Sequence, residues 1–146
     1  MQRLGVAMLA GVVLGFERER ADKPAGIRTY MLVTQGAALF MICAILLSNQ
    51  VTMFDGTVSD PGRIASTVVQ GIGFIAAGVI LTTGREIVGL TTAAGLWVAT
   101  AIGLLIGAGF YPIALVATVA TVIGLILLHR IEWRFISSDE PKDRDS

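Results

Sequence analysis

The charged residues of this 146-residue chain are confined to a few short segments, which leaves long uncharged stretches between them. Those stretches cover residues 4–16, 29–54, 64–84 and 87–129. A helix needs about 20 mostly apolar residues to cross the roughly 30 Å hydrocarbon core of a membrane. The second and third stretches each suffice for one such helix, and the fourth suffices for two because a turn signal divides it near Pro112. The pattern predicts spanning helices near residues 30–49, 64–83, 90–109 and 112–129.

The first uncharged stretch is short for a membrane span, because it holds only 13 residues. It can cross if the flanking Arg3 and Glu17 extend to the headgroups, or if the membrane thins locally. The alternatives are a signal peptide, for which no small-residue cleavage site follows, and a clipped N-terminus. We therefore predict an all-α, polytopic transmembrane helix bundle of about five spans, of which the first is short.

Lysine and arginine residues predict the orientation of the bundle, because the cytoplasmic loops of membrane proteins are enriched in them. With five spans, nine of the eleven fall on one side: in residues 17–28, in the 84–89 loop and after the last helix. This side is predicted to be cytoplasmic, with the N-terminus outside. The predicted organisation is a transmembrane domain over residues 1–130 and a short polar cytoplasmic tail over residues 131–146, with no soluble C-terminal domain.

Composition excludes several classes of function. Hydrophobic residues make up 54% of the chain, charged residues make up 15%, and the formal net charge is zero. Bulk electrostatics therefore gives no reason to expect nucleic-acid binding. The single cysteine and single histidine exclude an internal disulfide and the common zinc motifs. We expect no enzymatic activity and no cofactor. Binding of Mg²⁺ is the one exception that the charged residues allow.

Small residues at four-residue spacing form stripes on several predicted helices. Such stripes let helix backbones approach closely in lipid, where packing rather than removal from water drives association. The longest stripe is Gly95, Ala99, Gly103 and Gly107. On the preceding helix Gly73 and Ala77 repeat the spacing, and Gly71 and Gly78 lie seven residues apart on a neighbouring face. We predict that these residues pack helices together. The alternative is a substrate pathway lined by glycine backbone and by Gln70, Thr91 and Thr92.

Carboxylates at the helix ends are the candidate cation ligands. Glu17 and Glu19 are oxygen donors of the type that Mg²⁺ prefers, although an interfacial cluster that pairs with itself accounts for them as well. Asp60 precedes Pro61 and suits the N-cap of the next helix, with an outer cation-sensing carboxylate as the alternative. The basic residues at these junctions are Arg18, Arg28 and Arg63. No charged residue lies deep within a predicted span, which disfavours a proton-relay pump.

Five short motifs follow one another along the chain: GFERE (15–19), KPAGIRT (23–29), DPGRIA (60–65), GIGF (71–74) with Gly78, and GLTTAAGLW (89–97). Together they resemble the membrane domain of the MgtC/SapB family, in the order that the family has them. The resemblance covers about residues 3–130. It implies a bacterial inner-membrane protein of roughly five spans. The sequence departs from the family at Ala76, where a glycine is common, and in its short tail, where a soluble C-terminal domain is frequent.

The resemblance also implies a function. The family is associated with growth at low magnesium and, in some pathogens, with survival inside host cells. One role described for it is the regulation of other membrane proteins, such as the ATP synthase. We expect a regulator linked to magnesium homeostasis that contacts the lipid bilayer and other inner-membrane proteins. A Mg²⁺ or small-ion transporter is the alternative, and a homo-oligomer is left open.

Overall fold

The computed structural model describes residues 2–55, 60–83 and 86–136, and within them it confirms the predicted all-α bundle. Its elements in chain order are helices α1 (Gln2–Arg20), α2 (Ile27–Asp55) and α3 (Pro61–Val79), strands β1 (Leu81–Thr83) and β2 (Glu86–Val88), and helices α4 (Leu90–Ala108) and α5 (Tyr111–Ile136). By length and composition, four of the helices, α2 to α5, are able to cross a membrane.

Helix α1, the short predicted span, runs along the whole of α4. At one end, the Arg3 Nη1 group donates a hydrogen bond of 2.7 Å to the carbonyl oxygen of Gly107, near the end of α4. Towards the other end, a Cβ at Gly15 of α1 would lie 2.5 Å from the Cα of Ile27 in the first turn of α2. In the same turn, the Tyr30 hydroxyl donates to the Thr92 carbonyl oxygen in the first turn of α4. Because opposite ends meet, the two 19-residue helices are antiparallel and cover the same length. The fifth span, by α1, and the orientation in the membrane stay predictions.

The connection between α3 and α4 differs from the prediction. The predicted helix over residues 64–83 is wrong at its end, because α3 stops at Val79 and β1 pairs antiparallel with β2. β-Branched residues are dense in this segment, and they favour extended backbone over helix. Gly89 then enters α4 with φ +92°, and a Cβ there would lie 2.2 Å from the Val79 carbonyl oxygen, so only glycine fits. Residues 84 and 85 of the predicted loop lie outside the described residues.

Two helices continue further than predicted. Helices α2 and α5 end at Asp55 and Ile136 rather than near residues 49 and 129. Neither proline nor glycine interrupts these extensions, so the helical hydrogen bonds continue beyond the membrane-spanning length. Helix α5 therefore passes through the predicted domain border at residue 130, and residues 137–146 of the predicted tail lie outside the described part of the chain. The predicted break between α4 and α5 is confirmed at Gly109, where φ is +95°.

Helix α4 lies at the centre of the bundle and has ten buried residues. It contacts α1, α2, α3 and α5, and α2 packs against both α1 and α4. Helices α3 and α5 turn large apolar side chains outward; Phe74 of α3 is 87% exposed. Because lipid tails are as apolar as leucine, such an exterior suits a bundle immersed in a membrane. The packed core is therefore α1, α2 and α4, with α3 and α5 around it.

Candidate functional site

A buried ion pair lies where α1 meets the start of α2. The Arg18 side chain is 4% exposed and donates from Nε to a carboxylate oxygen of Glu17, which is 12% exposed. Arg18 lies on the buried face of α1 together with Gly11 and Gly15. A buried charge is costly without a partner, so Glu17 neutralises and orients Arg18 at this junction. The two side chains form one structural unit.

Tyr30 connects this end of α2 to α4. It is 1% exposed and lies one turn after Ile27, whose Cα would be 2.5 Å from a Cβ at Gly15 of α1. Its hydroxyl donates to the Thr92 carbonyl oxygen at 3.3 Å. Gly95 lies directly beneath this hydroxyl, because a Cβ at residue 95 would be 2.2 Å from it. We call Glu17, Arg18, Tyr30, Thr92 and Gly95 the junction cluster. It joins α1, α2 and α4 at one end of the bundle.

One turn further along α2, Thr34 links α2 to α1. Its hydroxyl lies 2.8 Å from the Ala7 carbonyl oxygen of α1 and 2.9 Å from the Tyr30 carbonyl oxygen of its own helix. Gly11 makes room for this contact, since a Cβ there would lie 2.3 Å from the Thr34 hydroxyl oxygen. A hydrogen bond between neighbouring helices and a glycine opposite it are typical of helix packing in lipid.

The small-residue stripe on α4 faces α2. A Cβ at Gly103 would lie 2.4 Å from the Thr34 carbonyl oxygen, and one at Gly107 would lie 2.6 Å from the Ala38 carbonyl oxygen. Ala99, between Gly95 and Gly103 in the stripe, is fully buried. Both close contacts are made with backbone, which cannot move aside as a flexible side chain can. The stripe therefore brings the backbones of α2 and α4 into direct contact.

The glycines of α3 have a different environment. A Cβ at Gly71, Gly73 or Gly78 would meet nothing within 4 Å. Gln70 of α3 and Thr91 of α4 are also exposed, whereas Thr92 is buried. The residues that the sequence offered as a pathway are therefore distributed over an outer helix face and the core, and the structure does not bring them together.

The three candidate metal ligands lie at two ends of the bundle. Glu19 accepts a hydrogen bond of 2.8 Å from the Ile27 backbone N–H, the first residue of α2. Asp60 accepts one of 2.8 Å from the Gly62 N–H and forms the N-cap of α3. The 29 residues of α2 separate these two positions. Among residues 2–55, 60–83 and 86–136, no three acidic, histidine or cysteine side chains form a group able to hold a metal ion.

The basic junction residues also have separate positions. Arg18 is buried in the junction cluster, whereas Arg28 and Arg63 are exposed in the first turns of α2 and α3. The Arg63 carbonyl oxygen accepts hydrogen bonds from the Ser66 and Thr67 hydroxyls. The backbone of Arg63 therefore contributes to the first turn of α3, and its charged group lies at the surface.

Comparison with known proteins relates this arrangement to a family. The MgtC family matches residues 4–134 of the chain. The chain belongs to the MgtC family. The match confirms the resemblance drawn from the five motifs. Together with the four apolar helices, membership identifies the chain as a multi-pass membrane protein.

Three relatives in the family show the extent of the similarity. YhiD of Escherichia coli K12, whose name describes it as a proposed magnesium transporter, is 42% identical over 137 residues, which are 94% of this chain and 64% of YhiD. MgtC of Salmonella typhimurium is 44% identical over 128 residues, 88% of this chain and 52% of that protein. The uncharacterised protein slr0014 of Synechocystis is 41% identical over 126 residues, 86% of this chain and 50% of that protein.

The chain therefore spans between 50% and 64% of the length of these relatives. No solved structure matches it.

Sequence reasoning missed two contacts of this MgtC-family chain. The sequence predicts Arg3 to be a charge that flanks the first span, but it donates to the last turn of α4, where the helix dipole favours a cation. Tyr30 was not singled out, although it connects the junction cluster. The signal for Tyr30 was its four-residue spacing from Thr34, which places two polar groups on one helix face.

Proposed function

We propose that this chain is a bacterial inner-membrane protein linked to magnesium homeostasis, and that it acts as a regulator of other membrane proteins. Membership in the MgtC family supports the link to magnesium, as does the name of the YhiD relative. The resemblance of the sequence motifs to the family supports both the inner membrane and the regulatory role. The regulatory role distinguishes this proposal from ion transport.

The regulatory proposal rests on the hydrogen bonds and the neutral charge of the polar side chains inside the spans. The hydroxyls of Thr100, Thr118 and Thr121 each lie within 2.9 Å of the carbonyl oxygen four residues earlier in the same helix. The hydroxyl of Thr34 is bonded between α1 and α2. Mg²⁺ requires near-octahedral oxygen coordination and loses its water reluctantly. These hydroxyls are neutral, so they do not offer the charged oxygen ligands that would compensate Mg²⁺ for the water it loses, which supports a role in contacts rather than in conduction.

The interactions of the carboxylates also support the regulatory role. Glu17 pairs with Arg18, Glu19 accepts from the start of α2, and Asp60 caps α3. Each of these interactions stabilises a helix end or a helix junction. In this proposal the charged junctions hold the bundle in the shape that a membrane partner recognises.

Transport of Mg²⁺ is the second candidate function, and the name of the YhiD relative favours it. Flux measurements separate the two functions. The full chain is reconstituted in liposomes loaded with a Mg²⁺-sensitive dye, beside protein-free liposomes and the variants Glu17→Gln and Asp60→Asn. We expect the same Mg²⁺ entry rate in all four preparations. Saturable entry that needs the protein and is lost in either variant would establish transport and overturn the regulatory proposal.

A second measurement tests the regulatory role directly. The tagged chain is expressed in a bacterium grown at low magnesium, crosslinked in the membrane and purified, with the ATP synthase as the first partner to be tested because of the family resemblance. We expect a membrane protein to co-purify reproducibly and its activity to change when the chain is added back. A chain that changes no membrane activity and captures no membrane protein contradicts the proposal.

A further inference from the structure

An apolar groove of about 670 Å³ lies between α2 and α3. Helix α2 contributes Leu32, Val33 and Phe40 to its walls, and α3 contributes Val68, Ile72 and Ile75. Along α2 the lining residues extend from residue 28 to residue 40, which is about 18 Å at the helical rise. Half of the hydrocarbon core of a membrane is about 15 Å thick. The groove therefore has the length of one lipid leaflet.

Two glycines give the groove its width. Gly36 of α2 and Gly71 of α3 both line it, and a Cβ at either position would meet nothing within 4 Å. The contacts of α4 with α2 are the opposite case, because there the glycines touch backbone. At the groove the space next to the glycines is left open, so the two helices leave room for a slender apolar group.

The polar lining of the groove is uneven. Two of its hydroxyls, those of Thr67 and Thr100, are bonded to carbonyl oxygens of their own helices. Arg28 lines one end of the groove and is exposed. Within the described part of the chain, no carboxylate lies within ion-pair distance of Arg28; the neighbouring Glu19 accepts from the Ile27 N–H instead. Arg28 is also in the first turn of α2, where the helix dipole is positive.

This combination selects an amphipathic, anionic occupant. A long apolar groove that ends at a guanidinium with no carboxylate partner among the described residues matches an acyl chain joined to a phosphodiester. Arginine binds phosphate oxygens in a two-pronged geometry. The predicted orientation places Arg28 at the cytoplasmic surface, where basic groups meet anionic lipid headgroups. We propose that the groove between α2 and α3 binds one acyl chain of an anionic phospholipid, with the phosphodiester of the headgroup on Arg28. This site is independent of whether the chain regulates or transports.

Lipid retention by the full chain tests the proposal. The protein is purified in mild detergent containing equal amounts of phosphatidylglycerol and phosphatidylcholine with identical acyl chains, and bound lipids are counted by native mass spectrometry. We expect the parent protein to retain one phosphatidylglycerol in preference to phosphatidylcholine. Arg28→Gln removes the charge and is expected to lower that preference about fivefold. Arg63→Gln, at an exposed arginine that does not line the groove, is the matched control and should keep it.

Filling the groove tests the acyl-chain half of the proposal. Gly36→Leu and Gly71→Leu each place a side chain into open space in the groove, and both are expected to lose the bound lipid of either headgroup. Gly73→Leu is the matched control, because Gly73 is equally open but does not line the groove. Helix content by circular dichroism and a single chromatographic peak establish that each variant is folded, and Arg28→Gln provides an independent test if a leucine variant is not.

Three results would overturn the proposal. The first is unchanged lipid retention in a folded groove-filling variant. The second is an unchanged preference for phosphatidylglycerol in Arg28→Gln. The third is a second copy of the chain in the groove, detected as a dimer in solution that Gly71→Leu dissociates and Gly73→Leu does not.

Discussion

Helices α4 and α3 carry similar numbers of glycines, but their glycines have opposite environments. On α4, a Cβ at Gly95, Gly103 or Gly107 would lie between 2.2 and 2.6 Å from atoms of α2. On α3, a Cβ at Gly71 or Gly73 would have no neighbour within 4 Å. The α4 glycines are contact sites within the bundle, whereas the α3 glycines leave space at its surface.

This difference shows what small-residue spacing in a membrane helix does and does not predict. The spacing indicates a face on which another backbone fits. It contains no information about whether the helix that fits belongs to the same chain. On α4 the contact is satisfied by α2, and the Tyr30 hydroxyl adds a hydrogen bond to it. On the α2-facing part of α3, Gly71 borders the groove that we assign to lipid.

The largest expected effect is at the junction cluster, on the packed side of this comparison. Arg18→Ala leaves the Glu17 carboxylate largely buried without its partner, and we expect it to lower the free energy of unfolding by about 3 kcal/mol. The measurement is unfolding in mixed micelles with increasing denaturing detergent, followed by circular dichroism. Arg20→Ala is the control, because Arg20 is exposed and lies 5.5 Å from the centre of the Phe16 ring, a contact of about 1 kcal/mol at most.

The double variant Glu17→Gln with Arg18→Leu sharpens this test. It removes both charges, so it should recover most of the stability that Arg18→Ala loses. Equal stabilities of Arg18→Ala and Arg20→Ala would contradict a structural role for the ion pair.

The next largest effect is expected at a glycine of α4, for which a glycine of α3 is the direct comparison. Gly103→Ala forces a methyl group against the Thr34 carbonyl oxygen, 2.4 Å away, and overpacking of this kind costs about 1–3 kcal/mol. Gly73→Ala adds the same methyl group in open space, so its unfolding free energy should stay within about 0.5 kcal/mol of the parent. The same detergent titration measures both variants. If Gly73→Ala lowers the free energy of unfolding as much as Gly103→Ala, the contrast between a packed glycine on α4 and an open glycine on α3 is contradicted.

The smallest expected effect concerns the first turn of α3. Asp60→Ala removes the N-cap of α3 and should cost about 1 kcal/mol. Asp60→Asn keeps a capping oxygen but removes the charge, so its unfolding free energy should match that of the parent. A stable Asp60→Asn protein that fails to support growth at low magnesium would assign Asp60 a role beyond capping. Equal destabilisation by asparagine and alanine would contradict the cap.

Much of the fold was predictable because charge placement and hydropathy are local properties of the sequence. The positions of four helices and the break at Gly109 followed from them. The end of α3 did not, because the uncharged residues 80–83 continue the stretch that predicted a membrane helix. Three of them are β-branched, and this and the pairing of β1 with β2 favour extended backbone. The far ends of α2 and α5 were also missed, since helical hydrogen bonding continues where hydropathy has already fallen.

The candidate site was less predictable. Asp60 is the N-cap that its neighbour Pro61 indicated. The sequence did not show that Arg18 would be buried while Arg28 stays exposed, because that difference depends on which helix packs against each side chain. The pathway and metal-ligand hypotheses grouped Gln70, Thr92 and the carboxylates by type, and three-dimensional proximity is not contained in residue type.

The distribution of charged residues along the chain therefore determined its class, a helical bundle in lipid. A charge inside hydrocarbon is costly, so the long uncharged stretches are the segments that can lie within the membrane. Tertiary structure decided the partner of each small-residue face. Lipid and protein are equally apolar, so hydropathy does not distinguish them. Which helix packs against a small-residue face depends on how well the two backbones fit together. The α4 stripe fits against the backbone of α2, whereas a groove remains between α2 and α3.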